Sequence, residues 1–125
     1  MDAFRVIVAG DREFQDYPLL VRSLDKLLSS KRTTHDIVIV SGMARGADTL
    51  GERYAREHGL AVDRHPALWN TEGRAAGPLR NIRMLAVADA LVAFWKGPAS
   101  RGTSHMIKIA TAKGIPVRVI RIVIP

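Results

Sequence analysis

Residues 38–55 read VIVSGMARGADTLGERYA, and this stretch decides the fold. Its apolar beginning is typical of a buried strand, which we expect to end at Ser41. Gly42 and Gly46 then allow a tight turn, and a helical pattern begins with Asp48 in its first turn. A strand, a glycine turn and a helix start in succession are typical of a phosphate site, because helix N-termini attract anions.

Length and composition predict one small domain that covers residues 1–125. Hydrophobic residues make up 47% of the chain, which is enough for an ordinary core. The chain has no cysteine, so disulfides and thiolate metal sites are excluded. The apolar runs are too short to cross a membrane, and the N-terminus lacks the features of a signal peptide. We therefore expect a cytoplasmic protein with no membrane partner.

The chain is strongly basic, with a formal net charge of +7. Fourteen of its 19 basic residues are arginine, which favours forked recognition of phosphate or carboxylate. A solvated basic surface is the alternative. A nucleic-acid partner is a weaker hypothesis, because there is no lysine-rich tail or long basic run.

Strand patterns alternate with helix patterns along the whole chain. The predicted strands are 4–9, 36–40, 61–64, 90–95 and 117–123, and the predicted helices are 17–29, 47–57, 78–87 and 103–112. Residues 65–77 are predicted to form an irregular loop. This order predicts an α/β domain of three layers, with a five-stranded, mainly parallel sheet and helices on both faces.

Ligands of such sheets bind beyond the carboxyl ends of the strands, near the point where strand order reverses. Glycine-bearing loops there let backbone N–H groups approach an anion, and arginines supply forked donors. We therefore predict a nucleotide or phosphosugar site, in which Asp11 and Asp48 contact ribose or base. The candidate residues are Gly10, Asp11, Arg12, Ser41, Gly42, Arg45, Gly46, Asp48, Arg80, Asn81, Arg101, Gly102 and Thr103.

Several candidates have a plainer interpretation. Asp48 could cap its helix, and Arg45 could be an ordinary surface residue. Ser41 lacks the glycine that precedes the serine in a nucleophile elbow, so a turn-forming hydroxyl is the preferred role. The four histidines, at positions 35, 58, 65 and 105, do not share metal-ligand spacing, so we expect neither a metal nor a cofactor. His105 could face the ligand or the solvent.

The two tryptophans have different expectations. Trp95 ends an apolar strand, where packing in the core is preferred over stacking on a base. Trp69 lies in the longest loop, where it could cover the ligand or contact another subunit. Within the second helix, the spacing of Glu52 and Arg56 predicts a surface ion pair, and so does that of Arg53 and Glu57. Gly51 in that helix predicts close packing against the sheet.

Four ordered segments resemble the YspA-type branch of the SLOG superfamily. They are GDREFQDYPLL, VSGMARGADTLGERYAREHGL, HPALWNTEGRAAGPLRNIRML and ADALVAFWKGPASRGTSHMIKIA, and together they span nearly the whole chain. The residues that match the family motifs are Gly10, Arg12, Gly42, Arg45, Gly46, Asp48, Gly77, Arg80, Asn81, Gly102 and Thr103. Asp11 stands where the family often has serine.

The resemblance implies a Rossmann-like fold and a nucleotide or ADP-ribose-like ligand. It also implies that the protein acts as a sensor or binding module. LOG phosphoribohydrolases, which are relatives, carry a glutamate three residues after the motif threonine, and Met106 occupies that position here. An enzyme that cleaves base from a nucleotide is therefore an alternative, with Asp11 or Asp48 as substitute carboxylates. A second alternative is single-stranded DNA binding like that of DprA. The superfamily also suggests a homodimer, in which the last strand would form an interface or a sheet edge.

Overall fold

The computed structural model describes residues 1–124; Pro125, the last residue of the predicted domain, lies outside them. Its strands are β1 (Ala3–Gly10), β2 (Asp36–Ser41), β3 (Ala61–Arg64), β4 (Ala90–Trp95) and β5 (Val117–Arg121). Its helices are α1 (Tyr17–Leu28), α2 (Ala47–Glu57), α3 (Trp69–Glu72), α4 (Ala76–Val87) and α5 (Arg101–Lys113). Single 3₁₀ turns cover Lys31–Thr33 and Gly73–Ala75.

All five strands pair in parallel, in the order β3-β2-β1-β4-β5. The predicted α/β architecture is confirmed, and the sheet is wholly rather than mainly parallel. The chain moves outward from β1 to β3 and then returns to place β4 on the other side of β1. Strand order therefore reverses between β1 and β4, which is where such sheets bind ligands. The last strand, β5, lies at an edge of the sheet.

The sheet is buried between two pairs of helices. On one face, α1 and α2 pack on Val6 and Val8 through Leu20, Leu24 and Tyr54, all of which are buried. The other face is covered by α4 and α5, whose Met84, Met106 and Ala110 pack on Ile7 and Leu91. Helices on both faces were predicted, and the continuous apolar runs of β1 and β4 follow from burial on both sides.

Local sequence signals explain several helix boundaries. Asp16 caps α1 by accepting a hydrogen bond of 3.1 Å from the Leu19 N–H, and Pro18 occupies the first turn. Gly51 places α2 close to the sheet, since a Cβ built there would lie 3.0 Å from the Cβ of Val8. The predicted reason for this glycine is confirmed.

No helix within residues 1–124 has the length and apolar character to cross a membrane.

The largest departure from the prediction is the segment 65–77. It holds the short helix α3 and a 3₁₀ turn, and α4 begins at Ala76, before Pro78. The N–H groups of Thr71 and Glu72 both donate to the Leu68 carbonyl, which closes α3. A helix of one turn is too short to show apolar periodicity, so the sequence pattern indicated a loop there. Elsewhere the differences are at element ends, such as β5, which stops at Arg121.

Candidate ligand site at the reversal of strand order

A cavity of about 400 Å³ opens where the carboxyl ends of β1 and β4 meet. We call it the inner cavity. The loops after β1, β2 and β4 form its walls with the starts of α4 and α5. Its lining includes Gly10, Asp11, Arg12, Glu13, Ala44, Arg45, Asp48, Arg80, Asn81, Met84, Lys96, Ser100, Arg101, Gly102, Thr103 and Met106.

A second space of about 440 Å³ adjoins the inner cavity. We call it the outer chamber. It shares Arg12, Ala44, Arg45 and Arg80 with the inner cavity, so the two spaces lie side by side. Its remaining lining is Gly42, Met43, Pro66, Ala67 and Trp69.

The structure brings almost all the predicted site residues to these two spaces, and Arg12, Arg45 and Arg80 line both. Ser41 and Gly46 are the exceptions. Ser41 is buried behind the site, where its hydroxyl accepts from the Met43 N–H at 3.1 Å and donates to Glu52 at 2.7 Å. The turn-forming role of Ser41 is confirmed.

Gly46 acts through backbone geometry instead of contact with either space. Its φ of 80° lies in the left-handed region that favours glycine. A Cβ at this position would lie 2.3 Å from the Asp11 carbonyl oxygen. The absence of a side chain lets the loop after β1 lie against the start of α2, where the Ala47 N–H donates to the Asp11 backbone carbonyl at 3.3 Å.

Asp11 is a buried junction between the loops that follow β1 and β4. One carboxylate oxygen accepts from the Glu13 N–H at 2.8 Å, and the other lies 3.1 Å from Lys96 Nζ and 3.2 Å from the Ser100 hydroxyl. Burial by itself raises the pKa of Asp11, but the bonds from Glu13, Lys96 and Ser100 outweigh it and lower the pKa below its ordinary value. Asp11 is thus a carboxylate whose partners are within the protein.

The start of α5 presents free backbone donors to the inner cavity. Ser100 is the N-cap residue, yet its hydroxyl donates to Asp11 and makes no capping bond. Within residues 1–124, neither the Gly102 nor the Thr103 N–H has a hydrogen-bond acceptor. Free first-turn N–H groups and the partial positive charge of the helix terminus both favour an anion at this point.

Asp48 and Arg80 face each other across Gly42. A Cβ on Gly42 would lie 2.9 Å from both the Arg80 Nη1 and the Asp48 Oδ2. Burial raises the pKa of Asp48 to about 6, although the Ala44 N–H and the charges of Arg80 and Arg12 oppose this shift. Burial also lowers the pKa of Arg80 against the attraction of Asp48. The site thus pairs a cation with a carboxyl group that titrates close to neutral pH.

The Asp48 side chain does not cap its own helix, because Gly46 is the N-cap of α2. Its Oδ2 instead accepts from the Ala44 N–H, outside the helix, at 3.2 Å. Within residues 1–124, its Oδ1 has no hydrogen-bond partner. The Asp48 side chain therefore fixes the turn after β2 instead of capping α2, and its second carboxyl oxygen, which has no partner among the described residues, is not fully buried.

The three arginines differ in how firmly they are held. Arg80 Nη1 donates to the Gly42 carbonyl at 2.5 Å, and its Nε donates to Asn81 Oδ1 at 3.2 Å. Arg45 is exposed and pairs with Glu13 at 2.7 Å. Arg12 is exposed and has no ion pair in the part of the chain that the structure describes. Arg80 is therefore the ordered cation, and the other two can reorient toward a ligand.

Asn81, a predicted contact residue, mainly joins α4 to α5, and it does so together with His105. Asn81 Nδ2 donates to the Gly102 carbonyl at 3.2 Å and lies 3.0 Å from His105 Nδ1. Met106, at the position of the LOG glutamate, is 1% exposed and lines the cavity. The wall thus carries a thioether where those enzymes carry a carboxylate.

Trp95 contacts neither space. Its Nε1 donates to the Ser104 hydroxyl at 2.9 Å, and the Arg121 guanidinium lies 4.9 Å from its ring.

The predicted Arg53–Glu57 pair is present at 3.0 Å, whereas the predicted Glu52–Arg56 pair is wrong. Glu52 turns toward the sheet instead, because Ser41 and Arg64 supply closer donors.

The sequence pattern did not identify Lys96, Ser100 and Glu13 as parts of the site. Lys96 and Ser100 lie in the loop after β4, and their position directly after a strand and before a helix was the available signal. Their bonds to Asp11 join positions up to 89 residues apart, so no local pattern indicates them.

The fold and this basic cavity define a Rossmann-like α/β domain whose candidate site lies where strand order reverses. The model of the family described as YspA, cpYpsA-related SLOG matches residues 4–71, and the chain belongs to that family. A curated relative, the Gene 61 protein of Mycobacterium phage D29, is 40% identical over an alignment of 119 residues that covers 90% of this chain and 93% of the relative.

Two solved structures share the fold. The protein TM1055 superposes with a TM-score of 0.63 at 22% identity, over 94% of this chain and 72% of that one. DNA processing protein A (DprA) from Streptococcus pneumoniae superposes with a TM-score of 0.73 at 18% identity, over 98% of this chain. This chain spans about half of DprA, as the match covers 52% of that protein.

Proposed function

We propose that the protein binds a nucleotide or a nucleotide-derived ligand, such as a nucleoside phosphate or an ADP-ribose-like molecule, as a sensor or binding module. The observation that carries this proposal is the meeting of three arginines and the free N–H groups of Gly102 and Thr103 around one cavity. A cavity of about 400 Å³ is of a size that small-molecule sites commonly have.

The phosphate groups would lie at the start of α5. There Gly102 and Thr103 supply backbone donors, and Arg80, which lines the same cavity, supplies a charged donor. Such bonds to an anion are stronger than bonds between neutral groups. Arg12 and Arg45 would add charge from the exposed side.

Asp48 is the better candidate of the two acidic residues for ribose hydroxyls. Its Oδ1 is free, whereas the carboxylate of Asp11 already accepts from Glu13, Lys96 and Ser100. We therefore assign Asp11 a positioning role: it holds the loop after β4 so that the first turn of α5 faces the cavity.

Cleavage of base from a nucleotide is a second candidate function, and one observation favours it. Asp48 is a buried carboxyl group beside the cavity with a pKa of about 6, which suits a general acid or base near neutral pH. Met106 argues against cleavage, because it occupies the position of the glutamate of LOG enzymes. Incubation of each nucleoside monophosphate with the protein, followed by chromatography, separates the two: free base supports an enzyme, and unchanged nucleotide supports a binding module.

Calorimetric titration with inorganic pyrophosphate and with nucleoside 5′-diphosphates tests the binding proposal. Arg80→Gln should weaken both by at least about tenfold, since it removes charged hydrogen bonds. Arg56→Gln is the matched control. It removes the same charge, but Arg56 is exposed and lies near the far end of α2. Equal affinities for the natural protein and both variants would contradict the proposal. Tight binding of single-stranded DNA with a steep salt dependence would favour the DprA-like alternative instead.

A further inference from the structure

We propose that the outer chamber is the base subsite, in which the aromatic base of a nucleotide stacks on Trp69 while its phosphates occupy the inner cavity. This inference rests on the proposed function and adds the position and chemistry of the second half of the ligand. It requires a planar ring, an apolar wall beside it, and closeness to the phosphate position.

Trp69 provides the planar ring. It begins α3 and is 53% exposed, although a large aromatic side chain is normally a major source of buried area. Its position is supported from two sides. The Cη2 atom lies 3.5 Å from where a Cβ on Gly77 would be, so the ring edge rests against α4. Arg83 of α4 also donates to both carboxylate oxygens of Glu72, at the other end of α3.

Apart from the three arginines, the remaining lining of the outer chamber is apolar. Pro66 and Ala67 lie just before α3, and Met43 is 50% exposed with a φ of 63°. A left-handed backbone at a non-glycine residue is strained, and such strain is concentrated at ligand-contacting loops. An adaptable methionine beside an aromatic ring suits a flat, weakly polar group such as a nucleobase.

The outer chamber lies next to the proposed phosphate position. Arg80 lines both spaces, and Gly42 lies at their boundary, next to both Arg80 and Asp48. A nucleotide with its base on Trp69 would therefore bring its ribose past Asp48 and its phosphates toward Gly102. Each space is near the lower end of the usual volume range for ligand sites, so one extended molecule across both accounts for the pair.

Tryptophan fluorescence tests this inference. The chain has two tryptophans, so Trp95→Phe leaves Trp69 as the only emitter. Titration of that variant with ADP, GDP, CDP and UDP should quench its emission, and inorganic pyrophosphate should not. In the otherwise natural chain, Trp69→Ala should weaken nucleoside diphosphate binding by about tenfold or more and leave pyrophosphate binding within twofold. Trp69→Phe should retain most of the affinity.

Leu79→Ala is the matched control, because Leu79 is an exposed apolar residue of α4 that lines neither space. If Trp69→Ala leaves the affinity for all four nucleoside diphosphates unchanged while Arg80→Gln weakens pyrophosphate, the base subsite is refuted and the phosphate site stands. If pyrophosphate and the nucleoside diphosphates all fail to bind the natural protein, the proposed function itself is refuted. Quenching by single-stranded DNA but by no mononucleotide would also overturn the inference.

Discussion

The Ser100 hydroxyl donates a hydrogen bond of 3.2 Å to the Asp11 carboxylate, although the two residues are 89 positions apart. This bond joins the loops that follow the two strands between which strand order reverses. It also explains why α5 begins without a side-chain cap, because the hydroxyl that would cap it is turned toward Asp11. The open start of α5 is thus a consequence of how the two loops are held together.

Asp11→Asn should destabilise the protein by about 2 kcal/mol at pH 7, because it weakens charged hydrogen bonds at a buried position. The pKa of Asp11 is lowered in the folded state. Its contribution is therefore present above the ordinary pKa of 3.8 and is lost as pH falls through the folded-state value. Urea unfolding at pH 7 and pH 3 measures the difference, which should shrink at pH 3. Asp2→Asn, at an exposed position, is the control; equal loss at both pH values would argue against a charged role.

Asp48→Asn should have the opposite effect on stability. The pKa of Asp48 is raised from 3.8 to about 6 in the folded protein. Above pH 6 the carboxyl group is charged in both states, and its charge lowers the free energy of unfolding because it is less well stabilised in the folded protein. The natural protein should lose stability as pH rises from about 4 to 6, and the variant should be more stable by up to about 2 kcal/mol at pH 8. Urea unfolding at pH 5 and pH 8 tests this. A variant that is less stable at pH 8 would show that Arg80 needs the Asp48 charge.

Gly46→Ala should be severely destabilising, by roughly 3 kcal/mol or more, since it combines a left-handed backbone with a steric clash. Gly59→Ala is the matched control, because Gly59 has a similar φ of 68° but open space around it. That variant should lose only about 1 kcal/mol. Thermal unfolding of both variants is the measurement. Similar melting temperatures would show that the close contact between Gly46 and the Asp11 carbonyl does not matter for stability.

Gly102→Ala should separate stability from binding. A Cβ at this position meets nothing within 4 Å, so the first turn of α5 should gain up to about 1 kcal/mol from the better helix former. The added methyl group reduces the space beside the free N–H groups, and pyrophosphate affinity should fall several-fold. Gly77→Ala, in the first turn of α4, makes an ordinary contact of 3.5 Å with Trp69 and should leave pyrophosphate affinity unchanged. Equal pyrophosphate affinity in both variants would place the anion elsewhere.

The sequence pattern predicts most of the fold because each strand and long helix carries its own periodicity. Once the sheet is parallel, the position of the candidate loops follows, since their strands end at one edge. This is how Arg12, Arg45 and Arg80 could be grouped before the structure was known. Their convergence requires only that the three connections that carry them lie on the same side.

Side-chain pairing within the site could not be predicted in the same way. Glu52 has Arg56 at helical spacing, but tertiary contacts offer it Ser41 and Arg64. Asp11 and Ser100 are brought together only by the neighbouring positions of β1 and β4. The loop position of Trp69 suggests a contact with a ligand or another subunit, but its place beside the arginines depends on a single helical turn, which is too short to show apolar periodicity.

The Arg80 guanidinium is held by two hydrogen bonds, to the Gly42 carbonyl and to Asn81 Oδ1, and the side chain lines both spaces. A side chain fixed in this way keeps a constant position where the two spaces adjoin. Molecules that are too short to pass it would fill one compartment and forgo the contacts of the other. The protein would therefore select its ligands by length as well as by charge.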